Sequence, residues 1–163
     1  LTAVSNGACC VVGHQAHVIK KGTRFANNSA IASMGYGLPA SIGVAIAHPD
    51  DQVVVICGDG DIQMVIQELA TIREYDLNVN VFIIDNSQLG IIRQWEETVY
   101  DMDKYQIELA NPDFAKLVEA YGIDSMKGES REDLDLAIDG AFSSNHAFLV
   151  DVCVCEENIP LPK

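Results

Sequence analysis

The sequence predicts an α/β fold with a doubly wound, mainly parallel sheet and helices on both of its faces. Two apolar, β-branched runs, residues 53–57 and 79–84, stand on either side of a helix-like stretch, residues 62–75. Strands that are almost continuously apolar are typical of parallel strands covered on both faces. The order strand, helix, strand is the repeating unit of such a sheet.

Two more helices are predicted outside this unit. Residues 32–47 are rich in glycine, alanine and serine, so a helix there can lie very close to a sheet or a ligand. Residues 111–121 carry a start signal, with Asn111 as N-cap and Pro112 in the first turn. Gly122 follows as the expected C-terminal stop.

The last part of the chain adds one helix and one strand. Residues 131–142 follow Ser130, and Asp133 stands three positions later, which indicates a capped amphipathic helix. Residues 147–153 form an apolar run that predicts a buried strand. The prolines within residues 159–162 exclude regular structure there. With no repeat and no linker composition, we expect a single domain over residues 1–163.

The charge balance limits the classes of partner. Ten basic and 24 acidic residues give a net charge of −14 among 163 residues. Such a chain is not expected to bind nucleic acid or an anionic membrane through non-specific electrostatics. No apolar run approaches the roughly 18 residues of a membrane helix, and no secretion leader opens the sequence. We therefore expect a soluble, cytoplasmic protein.

The cysteines do not form a disulfide pattern. The chain has five of them, an odd number, and none stands in a Cys-x-x-Cys motif. We expect reduced thiols that are buried as small apolar groups. A zinc site built from Cys9, Cys10, His14 and His17 is the weaker alternative, because this spacing matches no common zinc finger. The two histidines are better explained as exposed helix residues.

The first candidate site follows the strand at 53–57. Gly58, Asp59, Gly60 and Asp61 stand between this strand and the next helix, where parallel sheets bind ligands. The glycines let the backbone approach an anion, and N–H groups that open a helix can bind phosphate. Asp59 fits beside a phosphate only with a divalent cation between them. Gln63 stands where a dinucleotide motif has its third glycine, and a simple tight turn remains the alternative.

A second polar segment follows the next strand. Asp85, Asn86 and Gln88 come at its end, and Gly90 and Ile91 open another apparent helix. Asn86 follows Asp59 by 27 residues, about one helix and one strand, so both residues should reach the same edge of the sheet. A shared metal ion is therefore expected there.

These residues resemble the thiamine diphosphate motif, in which Gly-Asp-Gly is followed at this distance by Asn-Asn or a close variant. Nearly the whole chain is similar to the C-terminal cofactor-binding domain of the acetolactate synthase large-subunit family. The segments that carry this similarity are residues 33–43, 67–72, 89–96, 111–114 and 156–160.

The resemblance implies two cofactors, thiamine diphosphate and Mg²⁺. It assigns Asp59, the Asn86 side chain and the Gln88 carbonyl to Mg²⁺, and Trp95 to the entrance of the substrate channel. Met34 would be the apolar residue over which the cofactor bends. The residues implied in cofactor binding are Ala32, Ser33, Met34, Gly58, Asp59, Gly60, Asp61, Asn86, Gly90 and Ile91.

Five positions differ from the family pattern. Residues 7–10 read Gly-Ala-Cys-Cys instead of the usual Gly-Gln-His-Gln, which removes side chains that help to hold cofactor and substrate. Asp61 replaces a usual serine, and Val65 replaces a usual asparagine. Asp61 could instead face solvent or a second cation. Because of these differences, the first alternative to an acetolactate synthase-like enzyme is another 2-keto acid decarboxylase of the same superfamily.

The implied activity is decarboxylation and carboligation of pyruvate or a related 2-keto acid, as in branched-chain amino acid biosynthesis. No catalytic residue is expected in this chain, because family enzymes activate the cofactor with a glutamate from a pyrimidine-binding domain of the same enzyme or of a second subunit. The resemblance thus implies a homo-oligomer, a dimer or tetramer, and an isolated chain without turnover. A non-catalytic binding module, either cofactor-holding or flavodoxin-like with Mg²⁺, is the alternative from another class.

Overall fold

The computed structural model describes residues 1–160, and its centre is a six-stranded sheet in which all neighbouring strands are parallel. The order across the sheet is β2–β1–β3–β4–β6–β5. This confirms the predicted α/β class with a parallel sheet. The strands are β1 (Thr2–Val4), β2 (Phe25–Ala26), β3 (Val53–Gly58), β4 (Val79–Asp85), β5 (Asp124–Gly128) and β6 (Phe148–Cys153).

Helices cover both faces of the sheet. The apolar residues of α2, α4 and α6 pack on the face that carries Val55 and Ile83, and α7 packs on the face that carries Val150. On that second face, Gly13 of α1 comes close to Val4. The helices are α1 (Ala8–Ala16), α2 (Gly37–Ala47), α3 (Asp59–Ile62), α4 (Leu69–Glu74), α5 (Gly90–Thr98), α6 (Phe114–Glu119) and α7 (Arg131–Ser143).

The chain reverses its direction of travel across the sheet between β1 and β3. From β1 the chain crosses to β2 on one side, whereas from β3 it crosses to β4 on the other side. The loops that follow β1 and β3 therefore diverge and leave a crevice at the carboxyl ends of these strands. Open parallel sheets bind their ligands at such a position.

The predicted helix at residues 62–75 is wrong as one continuous element. The structure begins a short helix earlier, at Asp59, ends it at Ile62 and resumes a helix at Leu69 after a turn of 3₁₀ helix. Val65 lies in the break with φ −142°, outside the helical region. Its side chain packs beside Gly35, where an added Cβ would stand 2.7 Å from a Val65 methyl carbon. This tertiary contact overrides the local helix preference.

The predicted start of the helix at residues 111–121 is also wrong. Helix α6 begins at Phe114, and its N-cap is Asp113, whose side chain accepts a hydrogen bond from the Lys116 N–H. Asn111 lies outside the helix and makes contacts at the site described below. Gly122 follows the helix with φ +72°, in the left-handed region expected after a C-terminus.

The remaining predictions agree more closely. Helix α7 begins after Ser130 with the predicted capping box to Asp133, and β6 lies within the predicted run. The small-residue helix is confirmed only from Gly37 onward, because residues 32–36 form a loop. In the predicted irregular tail, residues 159 and 160 belong to no helix or strand, and residues 161 and 162 lie outside the described residues.

Burial of the cysteines follows the expectation only in part. Cys9 and Cys57 are buried, Cys10 and Cys153 are partly exposed, and Cys155 is exposed. Within residues 1–160, no helix combines the length and the apolar character that crossing a membrane requires.

Candidate functional site

A cleft of about 150 Å³ lies at the carboxyl ends of the central strands. It is formed where the loops after β1 and β3 diverge, and the loop after β4 closes its third side. Its lining residues are Asn6, Gly7, Ala8, Cys9, Met34, Gly58, Asp59, Gly60, Asp61, Ile84, Asn86, Gln88, Leu89, Gly90, Ile91 and Ile92.

The cleft brings together most of the residues singled out from the sequence. Met34, the Gly58–Asp61 turn, Asn86, Gln88, Gly90 and Ile91 all contribute to its lining. Ala32, Ser33 and Trp95 are exposed and lie outside this lining. Asn6 and Leu89 also border the cleft and were not expected there. Asn6 lies two residues after the end of β1, and its place at the carboxyl end of a strand is the signal that could have indicated it.

Asp59 is buried at the turn that follows β3, with 3% of its surface exposed. Its Oδ1 accepts a hydrogen bond from the Gly60 N–H at 2.9 Å, and its Oδ2 accepts one from Asn111 Nδ2 at 2.7 Å. Burial raises the pKa of Asp59, and the neighbouring carboxylate of Asp85 raises it further, while these two hydrogen bonds act in the opposite direction. A divalent cation would relieve this cost by compensating the buried charge.

The loop after β4 is held in shape by its own side chains. Asp85 Oδ1 accepts a hydrogen bond from the Ser87 N–H at 2.9 Å, and Ser87 takes the left-handed backbone conformation with φ +56°. Asn86 Oδ1 accepts one from the Gln88 N–H at 3.3 Å. A Cβ at Gly90 would stand 2.8 Å from Asn86 Nδ2, so a side chain there would displace the Asn86 amide.

Two helices begin at the cleft. Gly60 and Asp61 stand in the first turn of α3, and Gly90 and Ile91 form the start of α5. The first N–H groups of a helix have no partner within it and carry partial positive charge, so they favour anions. A Cβ at Gly60 would stand 2.9 Å from a Leu109 methyl carbon, so a side chain there would have to displace Leu109. The Gly60 N–H donates to Asp59 Oδ1, and the other first N–H groups of the two helices are the backbone donors that the cleft offers to a phosphate group.

Asp61 does not face solvent, which corrects that part of the sequence-based expectation. It is 4% exposed, and its Oδ1 accepts a hydrogen bond from the Gly35 N–H at 2.7 Å. Burial raises its pKa, and hydrogen bonds from Ser5 and from the backbone of Gly35 and Asn6 oppose this effect. The first turn of α3 directs the side chain inward, where it ties the loop that carries Met34 to the end of β1.

Helix α5 is anchored through its polar residues. Arg93 is 3% exposed, and its guanidinium donates to Glu97 at 2.7 Å and to the Asn158 side chain at 2.8 Å. Gln94 donates to the Ile159 carbonyl and accepts from the Ile159 N–H, both at 2.8 Å. The segment after β6 therefore fixes the helix whose first residues line the cleft. The indole of Trp95, on the other hand, remains 42% exposed.

The histidines near the cleft are placed only partly as expected. His14 is exposed on α1, as predicted, and its Nδ1 lies 2.7 Å from the Cys10 carbonyl. His17 follows the helix as its C-cap, and its ring packs against Phe25 at 4.5 Å between centroids. It is thus a partly buried residue rather than an exposed helix residue.

Comparison with known proteins places this chain in a class. Residues 5–152 match the family model described as thiamine pyrophosphate enzyme, C-terminal TPP binding domain. The chain belongs to this family of cofactor-binding domains.

Three individual relatives are acetolactate synthases. The chain is 39% identical over 137 residues to the acetolactate synthase of Arthrospira platensis, which covers 82% of this chain and 24% of the relative. It is 38% identical over 133 residues to the acetolactate synthase large subunit of Cyanidium caldarium, covering 80% and 23%. It is 34% identical over 148 residues to the acetolactate synthase isozyme 2 large subunit of Escherichia coli (strain K12), covering 90% and 27%. The chain thus spans about a quarter of the length of these relatives.

The cleft fits the cofactor that the family name implies. Asp59 and Asn86 bring carboxylate and amide oxygens to the lining of the cleft, Gln88 lies beside them, and Mg²⁺ prefers such oxygen ligands. The starts of α3 and α5, at Gly60 and Gly90, border the cleft and direct helix N–H groups toward a diphosphate. The donor set therefore suits a magnesium-bound diphosphate.

Proposed function

We propose that this chain is the thiamine diphosphate- and Mg²⁺-binding domain of an acetolactate synthase-like enzyme that decarboxylates pyruvate or a related 2-keto acid and ligates the product to an acceptor. The observation that carries this proposal is the cleft itself. It joins Asp59 from the end of β3, Asn86 from the end of β4 and the glycine-bearing starts of α3 and α5. The enzyme would be a transferase or lyase of branched-chain amino acid biosynthesis in the cytoplasm.

Each group in the cleft has a role in holding the cofactor. Asp59, the Asn86 side chain and the Gln88 carbonyl would hold Mg²⁺, and the N–H groups at the starts of α3 and α5 would hold the diphosphate. Met34 is 38% exposed at the cleft, where its apolar side chain would support the cofactor rings. Bound thiamine diphosphate supplies an acidic ring carbon and an electron sink for 2-keto acid chemistry. This chain would bind and orient it.

The completed site requires a second protein surface. The cleft of about 150 Å³ is smaller than the roughly 300–1,000 Å³ typical of enclosed ligand sites, as expected for one half of a shared site. Beside it, α5 and the residues that follow it expose large apolar side chains, including Ile92, Trp95, Val99 and Tyr100. We propose that a pyrimidine-binding domain, of the same enzyme or of a second subunit in a dimer or tetramer, covers this region and supplies the activating glutamate. Trp95 would then border the substrate channel.

Two measurements on the isolated chain test this proposal. Isothermal titration calorimetry with thiamine diphosphate should detect binding in the presence of Mg²⁺ and none in the presence of a chelator. An Asp139→Asn variant, with an exposed carboxylate on α7 removed, is the matched control and should bind normally.

Consumption of pyruvate by the same preparation should be at background level, because we expect the activating glutamate on a second domain. Absence of thiamine diphosphate binding by the folded chain would contradict the cofactor assignment. Robust turnover by the isolated chain would contradict the need for a second domain.

A further inference from the structure

Asn111 connects the two strand ends that form the candidate metal site. Its Nδ2 donates one hydrogen bond to Asp59 Oδ2 at 2.7 Å and another to Asp85 Oδ1 at 2.8 Å. An amide nitrogen carries two hydrogens, so both are used for these two carboxylates. The three residues are distant in sequence, since Asn111 lies 52 residues from Asp59 and 26 from Asp85.

Gln63 fixes the orientation of the Asn111 amide. Its Nε2 donates to Asn111 Oδ1 at 2.9 Å and to the Asp59 backbone carbonyl at 3.2 Å. Ionised carboxylates only accept hydrogen bonds, so the nitrogen of Asn111 must face them and its oxygen must face the donor on Gln63. Every polar atom of the Asn111 side chain therefore has a partner.

Local helix structure does not account for this arrangement. Asn-Pro before a helix commonly marks an N-cap, but here Asp113 fills that position and bonds to the Lys116 N–H. The Asn111 side chain points instead to the carboxyl edge of the sheet. Its contacts concern the site and not the start of α6.

We propose that Asn111 is a positioning residue for the divalent cation, because its amide joins the Asp59 and Asp85 carboxylates and holds the metal-binding carboxylate of Asp59 in one orientation. This inference rests on the proposed function. Each carboxylate oxygen can accept two hydrogen bonds or metal contacts, so Asp59 keeps free acceptor capacity for the cation while Asn111 holds it. Without the amide, two like-charged side chains would face each other at neighbouring strand ends.

The ratio of the Kd values for Mg²⁺ and Ca²⁺ distinguishes a positioning role of Asn111 from a purely structural one, because a structural role would leave this ratio unchanged. Mg²⁺ requires near-octahedral geometry at short distances, whereas Ca²⁺ accepts variable geometry and more ligands. Loss of the positioning amide should therefore weaken Mg²⁺ binding more than Ca²⁺ binding. A variant that merely lowers the stability of the fold would weaken both in the same proportion.

The experiment is a titration of the chain, in the presence of a fixed excess of thiamine diphosphate, with Mg²⁺ and separately with Ca²⁺. Partners of metal ligands typically contribute roughly 10- to 100-fold to metal affinity, so Asn111→Leu should raise the Kd for Mg²⁺ by about tenfold or more and the Kd for Ca²⁺ by less. Asn145 is exposed and does not line the cleft, so Asn145→Leu is the matched control and should leave the Kd for Mg²⁺ and the Kd for Ca²⁺ unchanged.

A second variant keeps the test decisive if Asn111→Leu does not fold. Gln63 is exposed, and Gln63→Met removes the donor that orients the Asn111 amide. This variant should raise the Kd for Mg²⁺ by a smaller factor than Asn111→Leu. Unchanged Mg²⁺ and Ca²⁺ constants in a folded variant would overturn the role of Asn111 and leave the proposed function intact. Absence of binding by the wild-type chain would instead refute the proposed function, and this inference with it.

Discussion

The centre of the sheet and its carboxyl edge are built from opposite kinds of buried residue. In the centre, β3, β4 and the helices α2, α4 and α6 bury apolar side chains, and Val55, Val81 and Phe114 are no more than 1% exposed. Around the carboxyl edge, the buried residues include ionisable and amide side chains. These are Asp59, Asp61, Arg93, Gln94 and Asp151, each no more than 4% exposed.

This difference indicates that the centre of the sheet stabilises the fold and that its carboxyl edge binds the ligand. Apolar burial is the dominant favourable term in folding, whereas buried carboxylates cost free energy unless they are fully paired. Asp151 Oδ1 has no hydrogen-bond partner among the described residues. We therefore expect substitutions in the centre to change the free energy of unfolding and substitutions at the edge to change ligand binding, with some edge substitutions increasing stability.

The largest effect is expected in the centre. Phe114 is fully buried, and Phe114→Ala should reduce the free energy of unfolding by about 3–5 kcal/mol because it leaves a cavity. Leu136→Ala, at a residue that is 58% exposed, should change it by about 0.5 kcal/mol or less. Urea unfolding measures both. If the two variants lose equal stability, Phe114 does not belong to a packed core.

An edge substitution should act in the opposite direction. Burial and the neighbouring Asp85 raise the pKa of Asp151 from 3.8 to about 6. The folded state therefore holds the proton more tightly than the unfolded state, and stability falls as the pH rises from about 4 through about 6. Asp151→Asn should be more stable than the wild type by up to about 3 kcal/mol at pH 7.5, and most of this gain should disappear near pH 4.

Urea unfolding at these two pH values checks the Asp151 prediction, with Asp139→Asn as the control at an exposed position of α7. A gain of equal size at both pH values would show that its source is not the carboxylate charge. A loss of stability at pH 7.5 would mean that Asp151 is paired in solution.

The smallest effect concerns a helix on the other face of the sheet. Ser130 caps α7 through a reciprocal pair of hydrogen bonds with Asp133. Ser130→Ala should cost about 1 kcal/mol of unfolding free energy and leave thiamine diphosphate affinity unchanged, because α7 does not reach the cleft. Ser143→Ala at the end of the same helix is the control. A changed affinity in Ser130→Ala would break the separation between scaffold and site.

Local sequence patterns predicted those parts of the fold that depend on local physics. The apolar runs of β3, β4 and β6 were recognisable because parallel strands are buried on both faces. The spacing of Asp59 and Asn86 predicted their common edge because one helix and one strand separate them. The capping box was recognisable because its two partners, Ser130 and Asp133, lie only three residues apart.

Other features depend on contacts between distant residues, and local patterns could not reveal them. Strand β5 was not predicted, because the polar residues of Asp124–Gly128 lie at the edge of the sheet, half-exposed. The break at Val65 depends on packing against Gly35, and the position of Asp61 depends on a hydrogen bond to the same residue. Asn111 was interpreted as a cap, and only the folded chain brings it beside Asp59 and Asp85.

Thermal unfolding with thiamine diphosphate and Mg²⁺, added alone and together, tests the central claim that the carboxyl edge is a cofactor site. At 100 times the Kd, the ligand should add about 2.7 kcal/mol, which raises Tm by roughly 5–10 °C for a domain of this size. We expect the wild type to show this shift only with thiamine diphosphate and Mg²⁺ together, and a folded Asp59→Ala variant to show none. An equal shift in Asp59→Ala, or no shift in the wild type, would contradict this claim.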